Sequence, residues 1–502
     1  MLSYIAQSFL TCLSPFNLLM IAGGTLLGML VGALPAFSSP MAIVVLLPLT
    51  YHMDATPALL LMMGVYAGSK LGGSYPAILL RTPGTPAAAC TVLDGYQMAV
   101  NGQAGRALGY ATMGSTLGGI FGWFLAVLFV PFLSSIAIKS SNADIALIGI
   151  LGLVMVSAFI RGSMLKGLAG VLFGLLLGTI GLDPMYGKPR FVFGLYELIS
   201  GIPFAAALVG FFGIAVVLSD LGMVGTKSEV IHSKVNLELP KLSEMKKYWS
   251  SILIGGLYGT AFGAIPGVGA ETSTWVAYAT VKNKSKYPEK FGTGIPEGII
   301  TPEATNNANC GGTLVPMLTL GIPGDGSTAI MLGAMILHGV TPGVTLMHSN
   351  PYLVYAIITS LLISTIFMFI FGLATIKYFV IFLQQDRAWL FPFILVLATL
   401  GAFSSLNSLF PIYIAITFGL VGFVFEKAKF PIVTVVLGII LGPIIEQNLR
   451  IALTLSGNNW LTFVNTPVRA IFILAIIGLI TLEAVKAIKG FSNRKNLQTE
   501  EV

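Results

Sequence analysis

Charge is what this sequence has least of. Only 9% of its 502 residues are Asp, Glu, Lys or Arg, against about 25% in a soluble domain. Windows 107–138, 326–376 and 388–425 contain none. Since about 20 apolar residues cross a bilayer core, these windows alone hold several crossings. The apolar runs are continuous rather than alternating, which rules out a β-barrel. Cysteine is nearly as scarce: Cys12, Cys90 and Cys310 stand alone, so neither a disulfide framework nor a paired zinc motif is implied. No Lys or Arg precedes Lys70. The N-terminus therefore lacks the basic region of a secretory signal, and 17–34 reads as retained structure. The formal charge of +7 is assigned to basic loops rather than to a nucleic-acid partner.

What is present is a pattern of interruptions. Gly32-Ala33-Leu34-Pro35-Ala36-Phe37-Ser38-Ser39 and Gly263-Ala264-Ile265-Pro266-Gly267-Val268-Gly269-Ala270 break apolar segments in nearly the same way. Each is followed by a second break, Arg81-Thr82-Pro83-Gly84-Thr85 and Gly321-Ile322-Pro323-Gly324-Asp325. Lipid offers no hydrogen bonds to the backbone groups that Pro and Gly free, so such breaks must face protein, water or a ligand. Matched interruptions in two halves of a membrane chain point to a transporter's substrate site.

The halves correspond beyond the breaks. A shift of 240 residues places Pro76, Leu80, Pro83 and Gly84 on Pro316, Leu320, Pro323 and Gly324. Two repeats result, 15–222 and 250–487, joined by a cytoplasmic linker at 223–249 and followed by a tail at 488–502. In each repeat a hairpin-bearing transport part (15–138, 250–350) precedes a scaffold part (143–222, 351–487). The loop at 51–57 lacks Lys and Arg, whereas its mate carries Lys282, Lys284, Lys286 and Lys290. Arg161 and Lys166 face an uncharged mate at 404–409. Basic residues collect on the cytoplasmic side, so the two repeats are expected to be inverted. The trace treats 17–50, 74–98, 250–281 and 312–338 as hairpins and 57–71 and 297–310 as crossings. It puts the N-terminus in the periplasm and the C-terminus in the cytoplasm. Lys139, Lys188, Arg190, Arg450 and Arg469 then fall outside. The expected fold is an all-α polytopic membrane protein of two inverted-topology repeats with broken helices and helical hairpins.

A helix end inside the membrane presents unpaired N–H groups and partial positive charge to an anion. Ser38, Ser39, Thr82, Gly84 and Thr85 in the first repeat are therefore substrate-binding candidates. Gly267, Gly269, Thr272, Gly324, Ser327 and Thr328 are their counterparts in the second. Asn306, Asn307 and Asn309 add amides that suit carboxylate oxygens, although interhelical bonding explains such residues as well. Arg81 could grip a carboxylate through two parallel hydrogen bonds, or pair with Asp94. Glu271 and Asp325 carry the wrong sign for an anion and suit cation coupling. Lys70, with the loop lysines, reads as solvated cytoplasmic charge.

Other classes fit less well. The Gly324-Asp325 pair resembles half of an intramembrane aspartyl protease motif, but no second acid on another span completes the dyad that chemistry requires. Channel filters are usually built as oligomeric rings, whereas two inverted units in one chain suit alternating access. No enzyme activity, resident metal or cofactor is expected.

The chain resembles the TctA family, the large permease subunits of tripartite tricarboxylate transporters. The resemblance rests on Gly32 to Pro40, Tyr66 to Ser74, Arg81 to Pro86, Leu93 to Tyr96, Phe191 to Gly194 and Gly201 to Phe204. It continues through Gly263 to Thr272, Pro302 to Asn307, Gly321 to Ser327 and Gly442 to Arg450. Arg81 departs from it, since the family pattern allows an uncharged residue there. The resemblance implies a secondary carrier of the bacterial inner membrane that imports citrate-like carboxylates. It would work with a small TctB-like membrane subunit and a periplasmic TctC-like solute-binding protein. A cation gradient would drive it, Na⁺ first and H⁺ as the alternative, by an elevator motion. The scaffold helices could pair two copies.

Overall fold

The computed structural model describes residues 2–34, 37–159, 163–221, 238–376, 378–379 and 390–500. Pro35 and Ala36 of the first break, Arg161 and the linker before Glu238 lie outside them. Apart from a short antiparallel ribbon, Gly181–Leu182 (β1) with Pro189–Arg190 (β2), the regular structure is helical. Among the described residues six helices are long and apolar enough to cross a bilayer. The protein is an all-α polytopic membrane protein.

The helices are α1 (Leu2–Leu13), α2 (Pro15–Gly32), α3 (Ser39–Leu46), α4 (Ala55–Gly72), α5 (Ser74–Leu79), α6 (Val92–Met98) and α7 (Ala104–Ala137). Next come α8 (Asn142–Phe159), α9 (Met164–Gly178), α10 (Phe204–Leu208), α11 (Ala215–Asp220), α12 (Leu242–Met245), α13 (Trp249–Gly263) and α14 (Gly269–Lys284). The remainder are α15 (Glu297–Leu320), α16 (Gly326–Leu337), α17 (Leu346–Ser349), α18 (Pro351–Ala374), α19 (Leu390–Leu406), α20 (Phe410–Lys427), α21 (Ile432–Leu455) and α22 (Pro467–Glu500).

The chain divides into two compact units. One comprises 1–138 and 203–424; the other comprises 139–202 and 425–502. In the larger unit α2 packs on α4 and α13 on α15, while α7 packs on α15 and α18 on α4. Small residues set these spacings. A Cβ added at Gly24, Gly28 or Gly32 of α2 would meet the carbonyl oxygens of Leu61, Val65 and Ser69 at 2.2–2.4 Å. Conversely, Gly64, Gly68 and Gly72 of α4 lie against those of Ile21, Thr25 and Met29. Gly255, Gly259 and Gly263 of α13 meet the carbonyls of Thr301, Thr305 and Asn309 in the same register. In lipid, where the hydrophobic effect does not drive helices together, this backbone approach supplies the dispersion contact.

Two differences from the sequence trace have clear causes. α1 precedes the traced first repeat and docks on α18, where the Ser8 and Thr359 hydroxyls lie 2.7 Å apart. The crossing expected to end near 310 runs on to Leu320 as α15. Gly311 and Gly312 pack against the backbones of Gly122 and Thr260 rather than breaking the helix. Every residue of α15 from Gly298 to Thr319 is buried. Protein on all sides lets this helix carry the polar side chains that lipid would exclude.

In the smaller unit α21 packs on α9 and α8, and α22 on α8. The β1–β2 ribbon is tied down by ion pairs. Arg190 reaches Glu446 at 2.7 Å, and Arg450 donates to Asp183 at 2.7 Å and to Glu446 at 3.0 Å. At the start of α8, Asp144 accepts from Arg469 at 2.8 Å.

Candidate functional site

The two second breaks share one capping geometry. The Thr82 amide donates to the Pro76 carbonyl, as that of Ile322 does to Pro316, each at 3.3 Å. In each half this bond is closed by a residue in the left-handed region and reaches one residue further back than the Schellman bond that ends many helices. The left-handed residue is Gly321 (φ 70°) in one half and Arg81 (φ 57°) in the other. The first breaks match as well. The amides of Ala33, Leu34 and Phe37 donate to Met29, Val31 and Leu34; those of Ala264, Ile265 and Val268 donate to Thr260, Phe262 and Ile265.

Within each half the two breaks close on each other. A Cβ at Gly84 would meet the Gly32 carbonyl oxygen at 2.1 Å, and one at Gly324 that of Gly263 at 2.5 Å. The second junction is sealed by the Gly267 amide donating to Gly324 at 3.0 Å. Helix starts cluster beside these junctions. The Ser38 side chain accepts from the Met41 amide, whereas α14 begins at Gly269 with no side-chain cap. Asp325 caps α16 reciprocally with Thr328. Uncapped N–H groups of this kind bind carboxylates.

A buried ion pair links the halves. The Lys70 side chain on α4 is 5% exposed and its Nζ lies 3.9 Å from Asp325 Oδ2. The Tyr66 hydroxyl donates to that same oxygen at 2.6 Å, and it lies 3.1 Å from the Thr313 hydroxyl. Lys70 is thus not a solvated cytoplasmic charge. One turn beyond Tyr66 on α4, it points at a carboxylate on another element. Asp325 is fully engaged, Oδ1 by the Thr328 amide and Oδ2 by Tyr66 and Lys70.

Several buried polar atoms here lack a protein partner: the hydroxyls of Thr82 and Thr85, both amide atoms of Asn306, and Oδ1 of Asn309. A buried polar atom left unpaired costs about 1–3 kcal/mol, so these atoms are suited to meet a guest, solvent or solute. The remaining amides are used within the protein: Asn309 donates to the Gly259 carbonyl and Asn307 to that of Glu303. Ser39 and Ser327 are buried, while Ser38, Glu271 and Thr272 are half-buried. Arg81 is exposed, its guanidinium 5.7 Å from the Tyr96 ring centroid. Asp94, weighed above as its partner, is engaged elsewhere. It accepts from the amides of Gly292, Gly294 and Ile295 and from the Tyr278 hydroxyl.

The sequence reading passed over Glu303. It is wholly buried on α15, and it accepts from the Thr91 hydroxyl and, at 2.9 Å, from that of Ser115. Its one visible signal was an acid three residues before the Asn306-Asn307 pair inside an expected crossing.

Comparison with known proteins adds a family. The profile described as the Tripartite tricarboxylate transporter TctA family matches residues 18–437. An uncharacterized 52.8 kDa protein in the TAR-I ttuC' 3' region of Agrobacterium vitis is 35% identical, covering 100% of this chain and 99% of its own. A second uncharacterized protein, from the TAR-II ttuC' 3' region of the same organism, is 36% identical over 42% of this chain and 88% of its own. No solved structure matches.

Proposed function

The chain belongs to the tripartite tricarboxylate transporter TctA family. On that premise we propose that it is the large permease subunit of a binding-protein-dependent carrier importing tricarboxylates or related carboxylates. The observation that carries this reading is the buried Lys70 ammonium beside two paired helix breaks, with orphaned polar atoms on Thr82, Thr85, Asn306 and Asn309. A carboxylate solute supplies acceptors for the Thr82 and Thr85 hydroxyls and the Asn306 amide nitrogen, and a counter-charge for the lysine. In the bound state Lys70 turns from Asp325 to the substrate, and Ser38, Ser39, Gly84, Gly267, Gly269, Thr272, Gly324, Ser327 and Thr328 line the guest's surroundings. Arg81, at the exposed end, meets the anion on entry.

Two inverted repeats working by alternating access with an elevator-type shift complete the proposal, and the exchanged packing of α7 on α15 and α18 on α4 supports a two-fold correspondence between the halves. A monovalent cation gradient drives net import, and Glu271 and Asp325 are candidate coupling groups. The partners are a small membrane subunit, a periplasmic solute-binding protein in the inner-membrane setting, and a second copy of the chain.

Counterflow of labelled citrate, tartrate and succinate in proteoliposomes tests this, with the partner subunits supplied. Saturable exchange of at least one is expected. Absence of exchange for all three, in vesicles containing folded protein, overturns it.

A further inference from the structure

A carboxylate inside a membrane protein needs a cation, a proton or strong donors, because an isolated buried charge is far too costly to persist. Glu303 has no exposure to solvent. Among the described residues no Lys, Arg or His pairs with it. Its surroundings are hydroxyls from separate elements: Ser74 at the start of α5, Thr91 before α6 and Ser115 on α7. The titratable groups facing it are Tyr75 on α5 and Cys90 beside Thr91. Both are neutral when protonated, so neither supplies a positive charge. The Lys70 ammonium acts on α15 at Cys310, two turns beyond Glu303, and it is committed to Asp325.

We propose that Glu303 is the site at which a proton is carried across the membrane with the substrate. The inference rests on the carrier reading and names its coupling ion. Hydroxyls are the partners that serve both protonation states, since each can donate to a carboxylate and accept from a carboxylic acid. With Glu303 ionised, Thr91 and Ser115 donate to Oε1 and Oε2. On protonation the new O–H donates to one of those hydroxyl oxygens, whose own proton rotates away. No heavy atom has to move. The hydroxyl oxygens are already in hydrogen-bond contact with both carboxylate oxygens, so the cluster is closed like a proton site rather than opened like an alkali-metal cage. Its location explains the coupling. Glu303 stands on α15, three residues before the orphaned Asn306 and so on a neighbouring stretch of the same face. It is gripped by Ser74 of α5 and by Thr91, which flank the first half's second break, and by Ser115 of α7.

Reconstituted wild type, Glu303→Gln and Ser115→Ala are compared in two assays: citrate counterflow across pH 5 to 8, and accumulation driven by an acid-outside gradient without Na⁺. Wild type is expected to accumulate citrate. Glu303→Gln, which mimics the protonated state, should lose gradient-driven accumulation at least tenfold while its counterflow becomes independent of pH. Ser115→Ala removes a donor to the ionised form, so its counterflow profile should move to higher pH by about one unit. This second variant keeps the idea testable if the glutamine protein fails to fold. Wild type that exchanges citrate but ignores the pH gradient overturns the inference, as does an unshifted profile in Ser115→Ala. Absence of wild-type exchange with citrate, tartrate and succinate alike would instead defeat the carrier reading.

Discussion

Arg81 and Gly321 occupy the same backbone position in the two halves, each left-handed and each followed by an amide that reaches back to a proline carbonyl. A side chain in that region costs about 1–2 kcal/mol, which glycine avoids. Arg81→Gly should therefore stabilise the detergent-solubilised protein by up to about 1 kcal/mol, after allowance for glycine's freedom in the unfolded chain. If the guanidinium meets the substrate on entry, KM for uptake should rise severalfold while maximal rate is kept. A thermal melt and a saturation curve on one variant separate the two effects, and an unchanged KM removes Arg81 from the substrate path.

Lys70 and Asp325 should behave as a coupled pair. Removing one partner of a buried ion pair costs about 3–5 kcal/mol, because the other charge is stranded. Lys70→Met should be destabilised by that order. The double variant Lys70→Met/Asp325→Asn should recover most of the loss, since Asn remains a good N-cap for α16. Neither should transport. Additive losses in melting experiments would show that the two groups do not interact.

Packing of α2 on α4 can be probed with two glycines on α2. Gly28→Ala places a Cβ 2.3 Å from the Val65 carbonyl oxygen, whereas Gly23 has nothing within 4 Å. Gly28→Ala should lose about 1–3 kcal/mol. Gly23→Ala should be neutral or gain about 0.5–1 kcal/mol from helix propensity. Fluorescence-detected gel filtration after heating ranks them, and equal behaviour would reject the backbone contact.

Acid should release the β1–β2 ribbon. The Arg450 guanidinium is the main reason that the Asp183 carboxyl sits at about 2, below its ordinary 3.8. A carboxyl lowered on folding contributes stability that is complete above its unfolded value and lost as pH falls through the folded one. The ribbon should hold at neutral pH and loosen between about pH 4 and pH 2. Pepsin cleavage within 183–190 should rise across that window in wild type and lose this pH dependence in Asp183→Asn.

Inversion of the repeats makes its own demand. In a background lacking Cys12, Cys90 and Cys310, single cysteines at Asn101 and Ser405 should label from opposite sides of the membrane. Labelling from one side would show the repeats to be parallel.

Much of the helical layout was legible because lipid makes the cost of interrupting a helix visible as Pro and Gly. The breaks at 81–85 and 321–325 were read directly, down to their correspondence. Lys70 was misread because a lone lysine near a predicted span end looks solvated. Its counter-charge, Asp325, lies in the other half of the chain, and no local pattern announces such pairing. Asp94 misled for the same reason, its donors being the backbone amides of residues 292–295, which have no signature in composition. Glu303 was hidden among the asparagines that drew attention to its helix. The boundary expected between the crossing at 297–310 and the hairpin at 312–338 is absent because Gly311 and Gly312 serve close packing, and only the neighbouring backbone reveals that.

The glycine stripes along α2–α4 and α13–α15 also restrict how the molecule can move. Where main chain rests directly on main chain, a slip of even one residue drives a side chain into a carbonyl, so neither couple has slack to shear. Each must travel as a single stave. Any stroke that carries one couple past the rest of the protein then has to bend at that couple's ends, near Ser14 and Gly73 for the first and near Tyr248 and Gly321 for the second.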